Sequence, residues 1–106
     1  MPKYLLTVSY SAEGTRGLLK EGGSARRKVV QSLIEGVGGR LELFYYAFGE
    51  HDAFVVADLP TLTDGLALTM AVNATGAVRL STTQLISPEE IDAAAKKAVP
   101  YRAPGA

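Results

Sequence analysis

The chain predicts an α+β sandwich in which one four-stranded antiparallel sheet carries helices on one face, followed by a short C-terminal helix. Two observations lead there. Four segments rich in aliphatic and aromatic residues show the two-residue alternation of strands, and the long segments between them repeat apolar residues at helical spacing. The 106 residues also leave room for only one domain and one modest core.

Taken in order, Lys3–Tyr10 is a strand with Tyr4, Leu6, Val8 and Tyr10 on one side and Lys3, Leu5, Thr7 and Ser9 on the other. Ser11–Gly23 contains Gly14 and Gly17, each costing about 1 kcal/mol against Ala in a helix, so the expectation is a helical turn or two that breaks at Gly22-Gly23. Ser24–Val37 is the best helix, with Ser24 as N-cap and Val29, Val30, Leu33, Ile34 and Val37 as its stripe. Gly38-Gly39 supplies the stop.

Arg40–Phe48 and Asp52–Leu59 read as two strands around Gly49-Glu50-His51. Plain alternation groups Leu41, Leu43, Tyr45 and Ala47 against Glu42, Phe44, Tyr46 and Phe48; the next strand sets Ala53, Val55, Ala57 and Leu59 against Phe54, Val56 and Asp58. Neither strand has the polar side that a half-solvated hairpin shows. Thr61–Asn73 is a second main helix, with Thr61 and Asp64 as a capping pair and Leu66, Ala67, Met70, Ala71 and Ala74 as its buried stripe. Ala77–Ile86 is the fourth strand. Ser87-Pro88-Glu89-Glu90 starts a last helix that runs to about Ala98, so that residues 1–98 form the domain and 99–106 a flexible tail.

The β-α-β-β-α-β order is the ferredoxin-like arrangement, with spatial strand order 4-1-3-2 and both main helices on one face. The other face then carries an apolar set with nothing of its own to cover it. A patch of that size is rare on a monomer. A homodimer through the open sheet face is the expectation, with a trimer built on the same strands left open.

The opening strand followed by Gly14, the Gly38-Gly39 stop, the aromatic run Phe44-Tyr45-Tyr46, the turn Phe48-Gly49-Glu50-His51-Asp52, and Val78-Arg79 together resemble the GYD-domain family of small bacterial proteins. The resemblance covers about residues 3–92. The family takes its name from a Gly-x-Tyr-Asp turn; Gly49 and Asp52 match it, and His51 stands where the tyrosine is usual. The resemblance implies a ferredoxin-like fold of the dimeric α+β barrel type and brings no established activity.

Composition narrows function by exclusion. Eleven basic residues balance eleven acidic ones, so nothing draws the chain toward nucleic acid or an anionic membrane. Without cysteine there is no disulfide framework, thiolate chemistry or zinc–sulfur site. No apolar run approaches the ~20 residues of a membrane span. The segment Met1-Pro2-Lys3-Tyr4 does not read as a signal peptide, and the expected location is cytoplasmic. No phosphate loop, nucleophile elbow or RNA-reading pattern is present.

One polar corner remains. The expected topology brings the start of the third strand to the end of the first, gathering Tyr10, Ser11, Arg16, Tyr46, His51 and Asp52. His51 and Asp52 are the catalytic candidates, and Tyr10, Arg16 and Tyr46 the ligand-binding ones. The bland alternatives are an Asp52 that caps backbone N–H groups and an exposed or dimer-contacting His51. Because neighbours on a strand alternate faces, a working His51–Asp52 pair requires a bulge or turn at 51. Phe44, Tyr45, Tyr46, Phe48 and Phe54 either line a cavity between stacked sheets or pack the core and interface. Arg26-Arg27-Lys28 reads as a solvated helix face. No metal site or cofactor is expected.

Two readings follow. The favoured one is a homo-oligomeric module that binds a small molecule or a partner protein without a defined catalytic centre. The other is a small cofactor-free enzyme, an isomerase or monooxygenase of the dimeric α+β barrel type, with His51 as general base and Arg16 holding an anionic group.

Overall fold

A computed structural model describes all residues, 1–106. β1 (Lys3–Tyr10), β2 (Arg40–Tyr46), β3 (Ala53–Asp58) and β4 (Val78–Leu85) form one sheet in the order β2-β3-β1-β4, every pair antiparallel. This is the expected order read from the other edge, and it is consistent with the ferredoxin-like arrangement. α1 (Ala12–Glu21) and α2 (Gly23–Gly36) connect β1 to β2, α3 (Leu62–Asn73) connects β3 to β4, and α4 (Pro88–Ala95) follows β4.

The core follows from the alternation of β1 and β3. Tyr4, Leu6 and Val8 of β1 and Ala53, Val55 and Ala57 of β3 turn to the helices and are buried with Leu59, Ile34, Leu68 and Leu80. Each large aliphatic side chain sealed in this way contributes about 1.5–3 kcal/mol of transfer free energy.

β2 does not alternate plainly. Leu41 pairs with Ala57 and Leu43 with Val56, so Glu42 is the extra residue of a β-bulge. The bulge puts Leu41 on the helix side with Phe44 and Tyr46, and leaves Leu43 and Tyr45 on the open side. The grouping of Leu41 with Leu43 and Tyr45 is therefore corrected. Of the five aromatics weighed as cavity lining or as core and interface packing, Phe44 and Tyr46 pack against the core, Tyr45 and Phe54 lie on the open face, and Phe48 is exposed in the turn.

Read across the strands, the open face has a charged row and then an apolar one. Arg40, Asp58, Lys3 and Leu85 are in register, followed by Leu43, Val56, Leu5 and Thr83, then Tyr45, Phe54, Thr7 and Ser81. The apolar part is concentrated on β2 and β3; β4 contributes mainly polar residues. Asp58 accepts from Lys3 Nζ at 2.9 Å and from Arg40 Nη2 at 3.0 Å, and Lys3 also pairs with Glu42 on the bulge.

The helices bring three corrections. α1 is a ten-residue helix rather than a turn or two, because Ser11 caps it by accepting from Gly14 N at 3.1 Å. α2 begins at Gly23, with Gly22 at φ 86° as the joint between the two helices, so Ser24 lies inside the first turn and is not the cap. α3 is capped by Thr61 as expected, but its buried face is Gly65 and Leu68, with Thr69 and Val72 half-buried. Leu66 and Met70, expected inside, are exposed together with Leu62. The Thr69 hydroxyl meets that of Thr82 on β4, which fixes this rotation of the helix.

α4 has a complete capping box, Ser87 with Glu90, yet every residue from Pro88 to Ala106 is exposed. The radius of gyration is 17.2 Å, against about 13 Å for a compact chain of this length. The C-terminal segment therefore projects from the body. No helix is long and apolar enough to cross a membrane.

Candidate functional site

The turn between β2 and β3 is held by backbone bonds from Ala47 N to Asp52 O (2.9 Å) and from Gly49 N to His51 O (3.1 Å). Phe48 is the one non-glycine residue with positive φ, at 53°. Its ring compensates by stacking on Tyr46 (centroids 6.0 Å apart) and on Tyr10 (6.5 Å). Gly49 is outside the left-handed region, and a Cβ there would meet nothing within 4 Å. The turn thus places its strain on Phe48 and not on the motif glycine.

Asp52 joins the turn to β1. Its Oδ2 accepts from Tyr10 N at 2.7 Å, and its own N–H donates to Val8 O at 2.8 Å. The carboxylate therefore replaces a missing strand partner for Tyr10. His51 packs edge-on against Phe54, with centroids 5.9 Å apart. Phe54 belongs to the open face, so His51 sits on the opposite side of the sheet from the Tyr10 and Tyr46 rings. No hydrogen bond joins His51 to Asp52.

The residues gathered on the helix side are Tyr10, Tyr46 and Arg26. Tyr46 donates to Gly23 O at 3.0 Å, which ties β2 to the start of α2. Burial pushes the Tyr46 phenol up to about 12, with Tyr10 adding to the effect. Burial also raises Tyr10, against an opposing pull from Arg26. Both phenols are therefore O–H donors at neutral pH. Ser11 is a structural residue: it donates to Ala77 O at 3.0 Å and caps α1. Arg16 is exposed on α1 and takes no part in this group.

Tyr10 and Arg26 line an open cleft of about 510 Å³ bordered by α1, α2 and α3. Leu18 and Gly17 of α1, Leu33 of α2 and Val72 of α3 form its walls, with Val78 of β4 beside Tyr10; Glu13 and Glu21 also face it. Under it lies a second, nearly filled void of about 30 Å³, bounded by Val30, Ile34, Phe44, Leu68 and Leu80 and sharing Tyr10, Arg26, Leu33, Val72 and Val78. The larger volume falls within the range of small-molecule clefts.

Arg26 is the residue that reading the charge run as solvated surface misses. Its signal was in the sequence. Arg26 precedes Val30 by one helical turn and shares a stripe with Val30, Leu33, Ile34 and Val37, whereas Arg27 and Lys28 fall on the exposed side. A cation at the head of an apolar stripe comes to rest at the edge of whatever the stripe covers.

Fold and site together define a small antiparallel α+β domain with a helix-side cleft and a sheet face that no helix covers. The chain belongs to the GYD domain family, whose model matches residues 4–95. Neither the curated proteins nor the solved structures give a match.

Proposed function

We propose that the chain is a homo-oligomeric binding module: two copies join through the open sheet face, and the helix-side cleft remains free for a small molecule. The observation that carries this is surface area. The single chain exposes 7220 Å², whereas a folded monomer of 11.2 kDa is expected to expose about 5,700 Å² by surface–mass scaling. The excess is about 1,500 Å², more than the ~800 Å² that one partner contributes to a standard interface. Leu43, Tyr45 and Phe54, all exposed on one sheet face, are the apolar residues a second copy would cover, and the projecting C-terminal segment accounts for the rest.

The catalytic alternative has less support. Asp52 is occupied by the backbone of β1, and His51 faces an aromatic edge away from the phenols and Arg26. Light scattering on the purified protein tests the module. A mass of two copies, falling to one in Phe54→Lys, is the expected result. A monomeric wild-type chain at micromolar concentration would refute self-association.

A further inference from the structure

The cleft has a pattern of charge that narrows its ligand. Arg26 forms no ion pair, although Glu21 and Glu13 line the same cavity. The guanidinium and the Tyr10 hydroxyl offer donors that suit a carboxylate. The two glutamates offer acceptors that suit an ammonium group. Below them Leu18, Leu33, Val72 and Val78 give an apolar wall that continues into the small inner void.

A simple fatty acid would satisfy Arg26 but bring a third negative charge beside Glu13 and Glu21. A simple amine would satisfy the glutamates and leave the half-buried guanidinium unpaired. A molecule carrying both charges on one end and a branched or aromatic hydrocarbon on the other answers Arg26, Tyr10, a glutamate and the apolar wall together. We infer that the cleft binds an α-amino acid with a bulky apolar side chain, its carboxylate on Arg26 and Tyr10, its ammonium toward Glu21, and its side chain against the apolar wall of Leu18, Leu33, Val72 and Val78. This rests on the reading of the chain as a small-molecule-binding module and specifies the site and the ligand class.

Gly17 gives a direct way to close the site. It lines the cavity, and a Cβ built on it meets nothing within 4 Å. Gly17→Leu therefore starts from an unobstructed Cβ at the cleft border, puts added bulk there and supplies a better helix former.

The test is calorimetric titration and ligand-induced melting shift with L-leucine and L-phenylalanine. 4-Methylpentanoate and 3-methylbutylamine serve as single-charge analogues. The expected result is saturable binding of at least one amino acid, at least tenfold weaker binding of both analogues, and at least a tenfold loss in Arg26→Gln. Gly17→Leu should bind nothing while melting no lower than the wild type, and Lys20→Gln, exposed on the outside of α1, should bind normally. Absence of binding by both amino acids, an analogue that binds as well as they do, or undiminished binding in Arg26→Gln would overturn the proposal. A metabolite from a wider screen that still binds Gly17→Leu would preserve the module and refute this cleft as its site. The mass of the assembly is measured separately and decides neither point.

Discussion

The carboxylate of Asp52 accepts the backbone N–H of Tyr10 at 2.7 Å, and this single bond closes the gap at which β1 outruns β3. The last register pair between these strands is Val8 with Ala53. Beyond it, Tyr10 would lack a partner on that side. Asp52→Ala removes an acceptor from a half-buried donor, at about 1–3 kcal/mol. For a domain of this size each kcal/mol lowers the melting temperature by about 4–8 °C. Asp52→Asn keeps an oxygen acceptor and should lose clearly less. Thermal melts followed by circular dichroism measure both; equal losses would show that the charge and not the hydrogen bond matters.

Gly14 and Gly17 stand one turn apart on α1 and should respond oppositely to the same change. A Cβ on Gly14 would lie 2.1 Å from the carbonyl oxygen of Ala77. That overlap cannot be relieved without separating α1 from the start of β4, where Ser11 N and Ser11 Oγ both bond Ala77 O. Gly14→Ala should destabilise by about 1–3 kcal/mol as an overpacked site. Gly17→Ala meets open space and should stabilise by about 0.5–1 kcal/mol. Urea unfolding of the two variants checks the signs.

Asp58 is held below its ordinary 3.8 first by its bond from Lys3 and then by that from Arg40, with burial acting against them. Because the folded value is depressed, the folded state releases this proton more readily than the unfolded one. The contribution is therefore present above about 3.8 and is lost as pH falls through the folded value. Wild type should lose stability over the range from neutral pH down to pH 2 more steeply than Asp58→Asn. The two curves should converge at the acid end, which urea titrations at stepped pH would show. Parallel curves would remove Asp58 from the acid response.

Tyr46 gives the alkaline counterpart. Its folded value is raised, to about 12, so its contribution is intact below the ordinary 10 and disappears as pH rises through the folded value. Phenolate absorbance should include a late component that vanishes in Tyr46→Phe. That variant also loses the bond to Gly23 O, so it should be less stable at neutral pH while showing a shallower alkaline decline.

The exposed segment from Pro88 to Ala106 should be the first part cut by a nonspecific protease. An eight-residue helix is marginal without tertiary support, and every residue of α4 is exposed. Cleavage after residue 87 should leave a body that melts as the full chain does. A loss of several degrees would show that the segment stabilises the fold.

What was legible in the sequence followed from local periodicity. β1, β3, the Thr61 cap and the Ser87 capping box stand where alternation and cap chemistry put them. What was not legible depended on contacts distant in sequence. Nothing local shows that Glu42 is extra, because a bulge is defined by the partner strand. α3 is apolar nearly all round, so Leu66 and Met70 were as good a core as Leu68 and Val72 until Thr82 selected the face. Gly14 argued against a helix when taken alone; its real reason is the close approach of Ala77. In the corner, the expected Tyr10 and Tyr46 do meet, but their cation is Arg26 rather than Arg16, because the Gly22 joint carries the start of α2 over the end of β1.

The bulge at Glu42 makes length, and not only residue identity, a constraint on the edge strand. A shortening by one position there would turn half of β2 over. Leu41 would face water, Arg40 would leave Asp58, and an aromatic ladder whose odd and even members serve different surfaces would have its assignments exchanged at a stroke. Variation in this part of the molecule should therefore come as substitutions, with insertions and deletions confined to the turn that follows.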